Sequence, residues 1–96
     1  MGAKIKDCGE TQRDGKPQRM YLFHCPGCGY SHPFHVPMWT WNGSLDAPTF
    51  SPSLMVNGSD PRYRCHSFVK EGKIQFLSDC FHKLAGQTVE LPDWEA

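Results

Sequence analysis

Cys25-Pro26-Gly27-Cys28-Gly29 constrains this chain more than any other stretch of it. Two thiolates with two residues between them can turn back to face one ion. A glycine at position 29 can take the positive φ that lets backbone amides point at the sulfurs. The spacing is that of a zinc-ribbon half-site. Five cysteines in 96 residues would also suit a secreted disulfide scaffold. An odd count, and a start (Met-Gly-Ala-Lys-Ile-Lys) without the apolar run of a signal peptide, favour metal instead. Disulfide exchange fits less well, because that chemistry uses a helix after the motif. Here the residues from Tyr30 to Pro37 alternate in polarity and carry two prolines, Pro33 and Pro37.

A second half-site is offered by Cys65 and His66, and by Cys80 and His82. Hairpin parity chooses between neighbours. Residues 67–70 and 73–77 read as two strands joined at Glu71-Gly72, with glycine supplying the positive φ of a tight turn. In a two-residue loop Val69 pairs with Ile74 and Ser67 with Phe76. Cys65 then shares their buried face and His66 points the other way. A three-residue loop with a bulge reverses the parity and favours His66. Four of Cys25, Cys28, Cys65, Cys80 and His82 are therefore the expected Zn2+ ligands. Cys80 and His82 compete for the last place, His66 stands in reserve, and Cys8 is left as a free thiol.

The expected fold is mostly β: a small zinc-stapled antiparallel β domain with a zinc-ribbon-like knuckle and at most one or two short helical turns. Residues 1–96 form one domain, with 1–19 as an N-terminal arm in which Lys4 to Asp7 can be a strand. Met20 to His24 leads into the knuckle and Tyr30 to Val36 leads out, and Pro33 puts that second strand at a sheet edge. Ser78-Asp79 ahead of Cys80, with Gly86 beyond, reads as a capped helical turn. Phe23, Phe50, Phe76, Trp39, Trp41 and Trp94 are the expected core. A chain of this length buries little apolar surface, so a structural metal is a standard way to stabilise it.

Ten Lys and Arg balance ten Asp and Glu, which removes the general pull toward duplex DNA. No run approaches the roughly 18 apolar residues of a membrane span, so the expectation is a cytoplasmic protein. Arg62, Arg64, Lys70, Lys73 and Lys83, interleaved with Tyr63 and Phe68, keep single-stranded nucleic acid as an alternative ligand. Neither H-E-x-x-H nor the deaminase pattern is present. Trp39, Trp41, Asn42 and Asp46 are candidate binding residues. With Thr49, Ser51, Ser53, His32 and His35 near them in sequence, a small metal-dependent hydrolase is a further alternative.

Residues 39–55, taken with Cys65 to Val69 and Gly72 to Pro92, resemble a family of small bacteriophage and prophage proteins often labelled ammonia monooxygenase. The resemblance runs from Met20 to Trp94. The label itself names a membrane copper enzyme and carries no weight for a chain without a span. What the resemblance implies is a phage-encoded accessory protein in a bacterial cytoplasm, and it transfers no catalytic residue. The expected function is then a non-catalytic zinc-binding protein that acts on a host protein, such as a defence nuclease or part of the transcription machinery, through aromatic anchors.

Overall fold

A computed structural model describes residues 2–94. Alternating apolar and polar side chains produce eight strands and, among the described residues, no helix. The strands are β1 (Ile5–Arg13), β2 (Lys16–His24), β3 (Ser31–Val36), β4 (Thr40–Trp41), β5 (Phe50–Val56), β6 (Cys65–Lys70), β7 (Lys73–Phe76) and β8 (Thr88–Glu90). They form two antiparallel sheets, β1-β2-β3 and β4-β5-β6-β7-β8. The expected antiparallel β architecture is thus what the chain adopts. The stretch read as a helical turn forms tight turns instead, with Ala85 N–H donating to His82 O and Gln87 N–H to Leu84 O. The N-terminal strand also runs further than Lys4 to Asp7, pairing with β2 as far as Arg13.

The β6–β7 hairpin has the two-residue loop. Val69 pairs with Ile74 and Ser67 with Phe76, and Glu71 and Gly72 both take positive φ (52° and 77°), as a primed turn requires. Parity follows along β6, where Cys65, Ser67 and Val69 are buried while Phe68 and Lys70 are exposed and His66 is part-exposed. Pro33 sits in β3, an edge strand of the first sheet, where its missing N–H disrupts no ladder.

Aromatic side chains join the two sheets. Phe34 of β3 stacks on Phe50 of β5 with centroids 4.0 Å apart, and Phe23 of β2 lies 5.8 Å from the same ring. Phe23, Phe50 and Phe76 are buried as expected. The tryptophans take the rim. Trp41 covers Tyr21 at 4.6 Å, and Trp94 stacks on His24 at 4.1 Å with the planes nearly parallel. A large indole that is only partly covered keeps its N–H near a polar partner, as Trp41 Nε1 does in donating to Ser44 O.

Strand β5 carries a bulge. Register passes from Phe50↔Val69 to Leu54↔Ser67, leaving Ser51, Pro52 and Ser53 opposite the single residue Phe68. Such a bulge bends the strand and re-aims the side chains it carries.

Candidate functional site

The β2–β3 connection is the knuckle. Gly29 adopts φ 82°, Gly29 N–H donates to Cys25 O at 2.9 Å, and Cys28 N–H points at Cys25 Sγ at 3.4 Å. Cys65, at the start of β6, brings its sulfur within 3.9 Å of Cys25 Sγ. The donor atoms of Cys25, Cys28, His32 and Cys65 all lie within 4.8 Å of one another. His32 is 1% exposed, and its Nε2 is buried without a hydrogen-bond partner. His32 thus brings a ring nitrogen to a group of three thiols and keeps an unsatisfied Nε2, so the cluster can hold a metal ion.

Electrostatics inside the cluster point the same way. The hydrogen bond from Cys65 brings the Cys25 thiol down to about 4, with His32 beside it adding to the effect. Burial, and then the charge on Cys25, push Cys28 up to about 11. Cys65 is driven upward as well, chiefly because it donates to Cys25. Three thiols thus share one negative charge, and a cation among them would stabilise the other two as thiolates.

A second group, Cys65, Cys80 and His82, overlaps the first at Cys65. His82 Nε2 is 3.5 Å from Cys65 Sγ. The Cys80 thiol, however, is engaged with backbone: its Sγ accepts from His66 N–H at 3.2 Å and donates to His66 O at 3.1 Å. The structure therefore puts His32 among the expected ligands Cys25, Cys28 and Cys65. His32 lies three residues beyond Gly29 and three before His35, so no ligand-type interval in the sequence marks it. Its signal was parity, because in β3 His32 and Phe34 share the inward face.

Close packing of the knuckle gives a test of this geometry. A Cβ on Gly27 would overlap the His82 ring. That ring is held edge-on by Phe76 at 4.5 Å, and its Nδ1 accepts from Leu84 N–H. Gly27→Ala is expected to destabilise the domain by about 1–3 kcal/mol through overpacking, seen as a lowered Tm in thermal denaturation. An unchanged Tm would mean that His82 does not rest on the knuckle.

His66, the reserve ligand, belongs to a different constellation. Ser53 Oγ lies 3.0 Å from His66 Nε2, and Asp79 Oδ2 lies 3.4 Å from His66 Nδ1. A carboxylate only accepts, so Nδ1 carries the proton and Nε2 is left to accept from the serine hydroxyl. Each element has its local cause. The β5 bulge turns Ser53 toward β6, hairpin parity turns His66 to the outer face, and the turn after β7 brings Asp79 alongside. The histidine side chain is 22% exposed and the aspartate 38%, so the group is open to an incoming molecule. A serine hydroxyl, an imidazole and a carboxylate in this sequence of contacts form a nucleophile, a base and the group that orients the base.

The loop residues read as a binding surface serve their own turn. Asn42 Oδ1 accepts from the N–H groups of Ser44 and Thr49, and Asp46 accepts from Ser44 Oγ at 2.9 Å. Trp39 Nε1 donates to Pro52 O at 3.0 Å, bracing the bulge that carries Ser53. Of the basic residues, Arg62 pairs with Asp60 and Arg64 Nε donates to Gly58 O. No helix among the described residues is long and apolar enough to cross a membrane.

A sequence profile of the family described as bacterial ubiquitination-like system serine protease (BubE) matches residues 5–77. The matched span contains Cys25, Cys28, His32, Cys65, Ser53 and His66, and Asp79 lies just past its end. No curated protein and no solved structure matches the chain. The match overturns the expectation of a non-catalytic, phage-encoded zinc protein acting by binding a host protein, since the family is named for a catalytic activity. It also leaves the nucleic-acid and metal-dependent hydrolase alternatives without support. What stands of the resemblance is a small family of bacterial setting.

Proposed function

Since this chain belongs to the BubE family of bacterial ubiquitination-like system serine proteases, we propose that it cleaves a protein substrate of such a system with Ser53 as nucleophile, His66 as general base and Asp79 as the orienting carboxylate. One observation carries this reading: the continuous contact from Ser53 Oγ through both His66 nitrogens to Asp79 Oδ2. In the reaction His66 Nε2 takes the hydroxyl proton as Ser53 Oγ attacks the scissile carbonyl. The imidazolium is stabilised by Asp79 and hands its proton to the departing amine, which leaves an acyl-serine. Water, activated by the same imidazole, then releases the acid and restores the serine.

The test uses a fluorophosphonate, which reports an activated serine without knowledge of the substrate. It is expected to label the protein at Ser53, mapped by peptide mass spectrometry, and the labelling is expected to disappear in His66→Ala. Modification at another residue, or labelling that survives His66→Ala, would refute the assignment.

The metal in this reading is Zn2+, held by Cys25, Cys28, His32 and Cys65, and its chemistry is structural. Three thiolates and an imidazole would fill the four places that a structural zinc site takes, so the ion would supply folding energy and no chemistry on substrate. The bacterial cytoplasm is the compartment that suits the reading, since none of the five cysteines is paired. The partner is then the protein being cleaved, not a membrane surface.

A further inference from the structure

We infer that Cys80 is a positioning residue for the general base, an inference that rests on the serine-protease reading above. It follows from where the thiol sits. Cys80 Sγ is bonded to both backbone groups of His66, accepting from its N–H at 3.2 Å and donating to its C=O at 3.1 Å. The same peptide unit that carries the imidazole is thereby tied to the residue that follows Asp79. One side chain fixes the relative placement of the second and third members of the Ser53–His66–Asp79 contact.

The surrounding backbone shows why a side chain is needed there. Leu77 N–H donates to His66 O at 2.9 Å and Phe81 N–H to Arg64 O at 2.9 Å. Residues 77–81 thus run beside the start of β6, but β7 ends at Phe76 and the ladder does not continue. Between those two bonds Cys80 Sγ stands in for the missing backbone partner of His66 N–H. Cys80 is 9% exposed, so little water can replace the thiol. Without it the His66 amide loses its acceptor, and the imidazole loses a constraint on a ring that must meet Ser53 on one edge and Asp79 on the other.

A metal-ligand role for Cys80 competes with this one, because its sulfur also lies in the group with Cys65 and His82. The geometry favours the positioning role: the Cys80 sulfur lies 3.2 Å from His66 N and 3.1 Å from His66 O, held between the two backbone groups of one residue.

The experiment compares fluorophosphonate labelling rates of the full chain and of its Ser53→Ala, Cys80→Ser, Cys80→Ala and Cys80→Val variants. Zinc content is measured by elemental analysis and folding by circular dichroism. Cys80→Ser keeps a group that both donates and accepts, and is expected to label within a few-fold of the parent. Cys80→Ala and Cys80→Val, assayed at a temperature where they are folded, are expected to label about 10- to 100-fold more slowly, the effect of a small misplacement of a catalytic group. Their zinc content should equal the parent's. Loss of zinc in the apolar variants would make Cys80 a ligand and overturn the proposal. So would parental labelling rates in both, or failure of both to fold, which would make Cys80 a core residue. Failure of the protease reading looks different: the parent itself does not label, or Ser53→Ala labels as well as the parent.

Discussion

Ser53→Ala is expected to lower kcat for hydrolysis of the protein substrate by about 10³- to 10⁶-fold, with little change in KM. The magnitude follows from what the residue does. In the proposed reaction its Oγ forms the acyl bond, and it lies 3.0 Å from the nitrogen that would remove its proton. Alanine leaves the bulge backbone and the core untouched, since Ser53 is part-exposed on the outer side of β5. Binding surfaces therefore survive and only the chemistry is lost. Asp79→Asn should cost less than the roughly 10⁴-fold known for fully buried triad carboxylates, because Asp79 is 38% exposed and sits 3.4 Å from Nδ1. Steady-state kinetics on the cleaved substrate, with a stability measurement on each variant, check both statements. A Ser53→Ala protein with parental kcat would show that Ser53 is not the nucleophile.

Removing the metal is expected to have the second large effect, on folding first and on catalysis as a result. Cys25, Cys28 and His32 belong to the β2–β3 hairpin of the first sheet and Cys65 to β6 of the second. An ion among them would link two sheets that share one hydrophobic core. Apparent binding energies of structural Zn2+ sites run to about 10–16 kcal/mol, comparable with the whole stability of a domain, about 5–15 kcal/mol. A strong chelator, or Cys25→Ala, should therefore abolish the cooperative thermal transition instead of shifting it slightly. The active site should fail with it, because His66 is the residue after Cys65 and inherits that strand's position. Elemental analysis showing about one zinc per chain, together with chelator-dependent loss of the transition and of fluorophosphonate labelling, is the expected result. A chain purified without metal that melts cooperatively and labels at full rate would end the structural-zinc reading.

The two predictions share one strand, and that explains the division of labour along β6. Cys65 faces inward to Cys25, Cys28 and His32, and His66 outward to Ser53 and Asp79. Because side chains alternate across a strand, adjacent residues can serve a buried structural centre and an exposed reactive one without competing. Mutations at Cys65 are thus expected to read out as combined losses of stability and activity, whereas those at Ser53 affect activity alone.

Much of this was written locally in the chain. The Cys25-Pro26-Gly27-Cys28 spacing, with Gly29 at positive φ, specifies a knuckle from short-range geometry. The turn at Glu71-Gly72 fixes the β6–β7 register, and register fixes which face each residue takes, so the inward Cys65 and the outward His66 both follow from a two-residue loop. Alternation in Met20 to His24 and in Ser31 to Val36 was enough for antiparallel β. What local pattern did not contain was the reactive constellation. Ser53, His66 and Asp79 are spaced 13 residues apart, in a chain order that matches none of the familiar serine-hydrolase orders, and no nucleophile-elbow motif surrounds the serine. Each reads alone as a polar residue on a solvated face or in a turn.

Their meeting depends on a bulge that sets Ser51, Pro52 and Ser53 against one residue of β6, and on a turn that folds Asp79 back beside that strand. Likewise, the sheets have to pack before His32 comes to lie among the three thiols and the Cys80 thiol between the backbone groups of His66. Short-range sterics and hydrogen bonding write strands, turns and knuckles into the sequence. Contacts between segments far apart in the chain arise only once the sheets pack, and in this protein those contacts decide which serine meets which histidine.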